Sequence, residues 1–291
     1  MKEGRIIKAL SGFYYVQSDD RVYQCRGRGV FRKRKVTPLV GDFVTFTSDH
    51  PDEGYIIEIK SRTNELTRPP IANIDQAIIV CSVVEPDFNA LLLDQFLVLI
   101  ESKNIRPLIF ISKADKLIDT HEIEKYITLY KKIGYAVELF SAKNEDDLSY
   151  LREYFSGNVS VIAGQSGVGK SSLLNYLQPD LYLKTGDVSM KLGRGKHTTR
   201  HVELLSVYGG LVADTPGFSS LDFRDIEPEE FASCFPEIDE LSNDCKFRGC
   251  MHYKEPHCAI KHAVEAGEIA TSRYDHYVRF YEESKNRKPR Y

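Results

Sequence analysis

The chain has 291 residues, 42% of them hydrophobic and 28% charged, with a formal net charge of −3. That length exceeds what one hydrophobic core usually organises, so two or three domains are expected. No apolar run approaches the roughly 18 residues that a membrane span needs, and Met1-Lys2-Glu3-Gly4-Arg5 has no apolar signal core. A cytoplasmic protein with no membrane partner is therefore expected.

The small net charge hides an uneven distribution. Arg26 to Lys35 reads RGRGVFRKRK and the chain ends SKNRKPRY, both without an acidic residue. Cys25, Cys81 and Cys234 are scattered, whereas Cys245, Cys250 and Cys258 crowd together with His252 among them. That grouping favours a metal over disulfides.

Residues 1–68 contain five short alternating segments bounded by turn residues: Gly4–Leu10, Gly12–Val16, Val22–Cys25, Asp42–Thr47 and Gly54–Ile59. Five such strands suggest an oligonucleotide-binding (OB) type barrel. The basic run, with Phe31 inside it, falls between the third and fourth strands, where charge and a stacking ring would suit RNA; a solvated loop is the plainer alternative. Arg68-Pro69-Pro70 disfavours regular structure and marks a boundary.

Over residues 69–222 strands and helices alternate. Ile74–Val84 is a continuous apolar run of the kind buried on both faces of a parallel sheet. Helix Leu91–Ile100, strand Pro107–Ile111, helix His121–Ile133, strand Ala136–Phe140, helix Asp146–Phe155 and strand Val159–Ala163 follow. This predicts a doubly wound α/β domain.

The last of those strands runs into Gly164-Gln165-Ser166-Gly167-Val168-Gly169-Lys170-Ser171-Ser172 and then the apolar start of a helix. Strand, glycine loop and helix make the Walker A context. Glycines let backbone N–H groups surround polyphosphate oxygens, Lys170 neutralises the outer phosphates, and Ser171 can hold Mg²⁺. Ser112-Lys113-Ala114-Asp115 and Ser141-Ala142-Lys143 each follow a strand directly, where such sheets bind ligands. The Asp115 carboxylate can accept from N1–H and the exocyclic amine of guanine, whereas adenine has an acceptor at N1. Each short motif alone is also common loop chemistry; beside a Walker loop they point to guanine. Gly193–Arg200 (GRGKHTTR) reads as a mobile polar loop. Asp214-Thr215-Pro216-Gly217 follows strand Leu211–Ala213, with Asp214 placed to support Mg²⁺ and Gly217 free to approach the γ-phosphate.

These motifs occur in the order SKAD, SAK, GQSGVGKS, HTT, DTPG, whereas ordinary GTPases begin with the Walker loop. The domain resembles a circularly permuted GTPase. With its flanking barrel and cysteine–histidine cluster, the whole chain resembles the ribosome small-subunit-dependent GTPase A family (RsgA, YjeQ, YloQ). The resemblance implies GTP hydrolysis to GDP stimulated by the small ribosomal subunit, contact with its rRNA, and a role in its late assembly. Ser112 stands where GTPases usually carry Asn. Phe218 follows Asp-x-x-Gly where many carry the Gln that orients water, so the family points to His197 for that role. Thr199, or else Thr198, is the Mg²⁺ ligand expected from that loop. The Phe218 departure also motivates a rival reading, an RNA-binding factor for which GTP is only a regulatory ligand.

In residues 223–291, Ile226–Phe231 reads as a helix start. Cys245-x₄-Cys250-x-His252-x₅-Cys258 then matches one closed, structural, tetrahedral Zn²⁺ site, with His257 and His262 as spare ligands. A mainly helical domain is expected, with a helix over Arg273–Glu283 and a basic tail at Ser284–Tyr291 suited to RNA phosphates. The chain shows no coiled-coil heptads, so a monomer is expected.

Overall fold

The structure, a computed structural model, describes residues 1–27, 29, 31, 36–48, 50–117, 120–141, 150–177, 202–214 and 223–287. Five strands form the N-terminal barrel: β1 (Lys2–Leu10), β2 (Phe13–Ser18), β3 (Arg21–Gly27), β4 (Phe43–Thr47) and β5 (Glu53–Ile59). They pair in the order β1-β2-β3-β5-β4, and β4 returns to β1, so no barrel edge is left open. Alternation along each strand sends Val16, Tyr23, Cys25, Val44, Phe46 and Ile56 inward.

Phe31 corrects the sequence reading. Its ring is only 8% exposed and belongs to the barrel core rather than to a surface that could stack on a base. The charged neighbours Arg28 and Arg32 to Lys35 lie outside the described residues. The proline pair is also more regular than expected: β6 (Glu65–Thr67) and β7 (Pro70–Ala72) form a two-stranded ribbon whose turn is Arg68-Pro69.

The central domain continues with β8 (Gln76–Ser82), helix α1 (Ala90–Glu101), β9 (Arg106–Ser112), α2 (His121–Ile133), β10 (Ala136–Leu139), α3 (Leu151–Phe155), β11 (Val159–Ala163), α4 (Lys170–Leu177), β12 (Val202–Val207) and β13 (Gly210–Asp214). Strands β10-β9-β8-β11-β13 are parallel neighbours in that order, and β12 adds an antiparallel edge. Alternate residues of β8 and β9 serve opposite layers. Ala77, Ile79, Ile109 and Ile111 pack with α1 and α2, while Ile78, Val80, Leu108 and Phe110 pack with α3 and α4. Covering both faces explains why these strands read as unbroken apolar runs.

Strand β12 carried no clear sequence signal, yet it fuses the domains. It pairs antiparallel with β1 (Lys8 opposite Glu203), an ion pair of 3.0 Å reinforces the register, and barrel and central sheet become one 11-stranded sheet.

Beyond residue 222 the expected helix start at Ile226–Phe231 is replaced by 3₁₀ turns, Pro228–Glu230 and Ala232–Cys234. Glu227 and Glu230 close a reciprocal capping box there, and Pro228 sits at the first turn. Helices α5 (Pro236–Ser242), α6 (Ala259–Glu265) and α7 (Thr271–Lys285) complete the region. Its core of Phe223, Phe231, Phe235, Ile238, Tyr277 and Phe280 also takes in Val98 and Leu99 from α1.

Where the chain leaves the barrel, Asp42 is fully buried. Its carboxylate accepts from Arg62 Nε at 2.7 Å, Arg62 Nη2 at 2.8 Å and the Leu39 N–H at 2.7 Å. Beside it, Gly41 has φ +93°, and an added Cβ would lie 1.9 Å from the Ala72 carbonyl oxygen, so only glycine fits. Asp42→Ala should destabilise the protein by about 3 kcal/mol, the low end for breaking a buried pair because Arg62 keeps some solvent contact. A denaturation midpoint equal to the parent's would contradict this.

Candidate nucleotide site and metal centre

Strand β11 is buried along its whole length and delivers the chain into the loop at Gly164. Gly164, Gly167 and Gly169 all have positive φ, at +136°, +83° and +99°. At Gly164 the constraint is doubled, because an added Cβ would lie 2.2 Å from the Val80 carbonyl oxygen of the adjacent strand. The loop is anchored by Val168, whose side chain is buried with Leu173 and Leu177 of α4. The Lys170 ammonium donates to the carbonyls of Gly164 at 2.8 Å and Gln165 at 2.6 Å, which holds its charge inside the loop. Burial lowers its pKa from the usual lysine value, a bias that nearby phosphate charge would oppose.

The base-reading segment meets this loop directly. Ser112, the last residue of β9, is buried, and its Oγ donates to the Val168 carbonyl at 2.5 Å. The shortened residue at the usual Asn position thus ties two nucleotide loops together across 56 residues of sequence. Lys113 adopts a left-handed backbone with φ 61° and donates to the carbonyls of Val84, at 3.2 Å, and Glu85. Its stem is thereby laid along the segment that follows β8. Asp115 sits in a 3₁₀ turn, Ala114–Lys116, and its Oδ1 accepts from Ser141 Oγ at 2.6 Å. The first residue of the Ser-Ala-Lys motif therefore orients the carboxylate expected to read guanine. Ala142 and Lys143 lie outside the described residues.

β13 runs parallel to β11 and ends at Asp214, which brings that position to the same edge of the sheet as Gly164. His197, Thr198, Thr199, Gly217 and Phe218 lie outside the described residues.

In the C-terminal region Cys245, Cys250, His252 and Cys258 come together, with one ligand atom from each lying within 4.8 Å of the others. His252 Nδ1 faces both Cys245 Sγ and Cys258 Sγ at 3.4 Å. His252 itself has φ 52°, a turn that swings its ring into the cluster. Helix α7 braces this turn: Tyr274 donates to the His252 carbonyl at 2.7 Å and Tyr277 to the Met251 carbonyl. Glu255 accepts from the Met251 and Tyr253 N–H groups at 3.2 and 2.9 Å. Burial pushes the Cys250 thiol up to about 12 and raises that of Cys258, while it lowers His252. A divalent cation offsets the cost of buried thiolates, so three sulfurs and one imidazole nitrogen suit a closed tetrahedral metal site.

Comparison with known proteins agrees with this geometry. The family model described as "RsgA GTPase" matches residues 59–224, and that described as "RsgA N-terminal domain" matches residues 3–56. The chain belongs to the RsgA GTPase family. "Small ribosomal subunit biogenesis GTPase RsgA 2" of Oceanobacillus iheyensis is 64% identical over 293 residues, covering all of both chains. The Bacillus subtilis protein named "Small ribosomal subunit biogenesis GTPase RsgA" is 58% identical, again over the full length of both. Among solved structures, YloQ, described as a circularly permuted GTPase, superposes with a TM-score of 0.86 at 54% identity, covering 100% of this chain and 97% of that one. YjeQ from Thermotoga maritima gives 0.86 at 37% identity, covering 99% of each.

In this chain Ser112, Lys113, Asp115, Ser141 and the Gly164–Ser172 loop lie at one sheet edge, and the four metal-type side chains lie together. Val84 and Glu85 were not anticipated. They act through backbone carbonyls, which any residue carries, so sequence offers no signal for them. Ser112→Ala would leave the buried Val168 carbonyl unpaired, at a cost of about 1–3 kcal/mol. A lower denaturation midpoint and faster GDP release should follow, with preference for guanine over adenine retained. Unchanged GDP release would show that the tether is not used.

Proposed function

We propose that this chain binds GTP with Mg²⁺ and hydrolyses it to GDP and phosphate on the small ribosomal subunit during late assembly, with the subunit stimulating turnover. The observation that carries the reading is the meeting of the Walker loop with the Asp115 segment through the Ser112–Val168 hydrogen bond, in a chain whose full-length relatives are named small ribosomal subunit biogenesis GTPases. The glycine loop and Lys170 would hold the phosphates. Ser171, Asp214 and Thr199 (or Thr198) would hold the magnesium region, and Asp115 the guanine edge. Mg²⁺, when bound, neutralises charge developing on the β- and γ-phosphate oxygens. Gly217 would meet the γ-phosphate through its N–H. His197 would orient the attacking water, since Phe218 offers no group for that task.

On the barrel, candidate RNA contacts among the described residues pair cations with rings. The Arg26 guanidinium lies over Phe13 at 4.8 Å, Arg5 lies over Phe43 at 4.2 Å, and the half-exposed Tyr55 registers beside Arg26. Such surfaces suit unpaired bases and phosphate together. Ser284–Tyr291 would add phosphate contacts. We assign the Cys₃His cluster one structural Zn²⁺, held by Cys245, Cys250, His252 and Cys258. No helix among the described residues is long and apolar enough to cross a membrane, and action on ribosomal subunits implies a cytoplasmic protein, acting as a monomer.

Turnover measured with and without small subunits tests the central claim. Stimulation is expected in the parent and loss of most of it in His197→Ala, with GTP binding and GTP-dependent subunit binding kept; Lys170→Ala should be inactive in both conditions. Equal parent turnover with and without subunits would overturn the stimulation, and a normal response in His197→Ala would remove that residue from the mechanism.

Elemental analysis of protein purified without added metal should find one zinc per chain, and Cys258→Ser should lose it together with protection of the C-terminal region from protease. A zinc-free protein with that region fully protected would refute the assignment.

A further inference from the structure

Helix α1 belongs to two sites at once. At its N-terminal end Phe88, Asn89 and Leu92 share the walls of a small cavity, about 20 Å³, with Gln165 and Val168 of the Walker loop. The segment leading into it, Val84 to Pro86, carries the carbonyls that hold Lys113, and Pro86 Cδ lies 3.7 Å from where a Cβ on Gly167 would stand. Further along, Val98 and Leu99 of the same helix pack into the C-terminal core.

Between these ends sits Asp94, fully buried. Its Oδ1 accepts from Arg273 Nη1 at 2.5 Å and from the Tyr130 hydroxyl of α2 at 2.7 Å, while Oδ2 pairs with His276 Nδ1 at 2.6 Å. Arg273 is 1% exposed and is held from the other side by Glu237 of α5, through Nε at 2.6 Å and Nη2 at 3.1 Å. Both nitrogen groups that face the Asp94 charge therefore come from α7. The adjacent residues of α7, Tyr274 and Tyr277, brace the metal-binding turn at Met251 and His252. A series of neighbours runs from the Walker loop, across the shared cavity, to α1, and from there through Asp94 and α7 to the cysteine–histidine cluster.

We propose that Asp94 is a positioning residue: its clasp on Arg273 and His276 fixes α1 against α7, so that the state of the nucleotide loops and the pose of the C-terminal region are energetically coupled. A carboxylate with no solvent contact cannot give up the Arg273 guanidinium by degrees. Separation strands a buried charge, so the junction has an intact arrangement and a broken one rather than a continuum. An apolar contact of equal area would hold the elements together, but it would tolerate sliding. Directional hydrogen bonds fix the rotation of α1, and rotation of α1 moves the wall behind Gln165 and Val168. The proposal rests on the GTP reading of this site and needs no ribosome.

The test uses the full chain and its variants Asp94→Asn, Arg273→Lys and His276→Gln, without subunits. Affinities for GDP and for a non-hydrolysable GTP analogue are measured with Mg²⁺, with amide exchange over Thr271–Lys285 in both nucleotide states. In the parent, exchange in α7 should differ between the two nucleotides. In Asp94→Asn that difference should shrink, and the ratio of the two affinities should change by roughly fivefold, the low end for coupled sites, while bound metal and guanine preference persist. His276→Gln removes one bond only, and should move the ratio the same way by less even if Asp94→Asn fails to fold. Both affinities falling by one common factor would mark a merely structural role and overturn the proposal, as would identical α7 exchange in the two states of the parent. A parent that binds neither nucleotide would instead remove the GTP reading on which the proposal stands.

Discussion

Parallel pairing of β10, β9, β8, β11 and β13 is the constraint on which the rest of the molecule depends. Parallel strands all release their loops at the same edge, whatever order the chain visits them in. The Ser-Lys-Ala-Asp segment leaves β9, the Ser-Ala-Lys segment leaves β10 and the Walker loop leaves β11, so a site assembled from them survives cutting and rejoining the chain elsewhere. Permutation relocates the ends, not the chemistry. Strand β8 is central because it lies between β9 and β11, and its Val80 carbonyl stands where any side chain at Gly164 would have to go. The loop is thus shaped by its neighbour as much as by its own glycines.

Two fully buried aspartates each grip an arginine at a join: Asp42 with Arg62 where the chain leaves the barrel, and Asp94 with Arg273 between the central domain and the C-terminal region. Such pairs add little stability relative to apolar packing, since desolvation consumes much of their attraction. Their value is geometric. Burial alone would lower the Arg273 pKa, but Asp94 and Glu237 outweigh it and hold the guanidinium above its ordinary value. That charge is therefore permanent across the physiological range, and the two junctions are set in register by directional bonds.

Much of this was legible in the residues themselves. The five barrel strands and the alternating strands and helices of the central domain were readable because glycines, prolines and polar turns bound each apolar run, and the cysteine–histidine cluster because its four side chains are close in sequence. Four features were hidden for distinct reasons. Strand β12 is an antiparallel strand whose second partner, β1, is almost two hundred positions away, so its pattern has no local explanation. Phe31 looked like a surface ring because its neighbours are basic, yet a single aromatic can turn inward while the charges around it do not. Helices α5 and α6 span only 7 residues each, too short for periodicity to register, and their packing around the cysteine–histidine cluster supplies what propensity does not. The role of Ser112 was the least accessible: its hydroxyl is visible in the sequence, but the carbonyl it meets is not.

The C-terminal region also shares its core with the central domain. Its aromatic cluster is completed by Val98 and Leu99, which project from a helix of the nucleotide-binding domain. A small unit of this kind gains stability from a borrowed apolar face, and its cysteine–histidine cluster is a place where metal ligation would add to it. Both converge on α7, which presents Arg273 and His276 to α1 and Tyr274 and Tyr277 to the ligand-bearing turn. A displacement of α1 cannot be absorbed by a soft linker, since the helix is part of both cores. It must either be resisted at the nucleotide loops or be transmitted to the turn at Met251 and His252, and in that sense the boundary between the two regions is one of sequence rather than of mechanics.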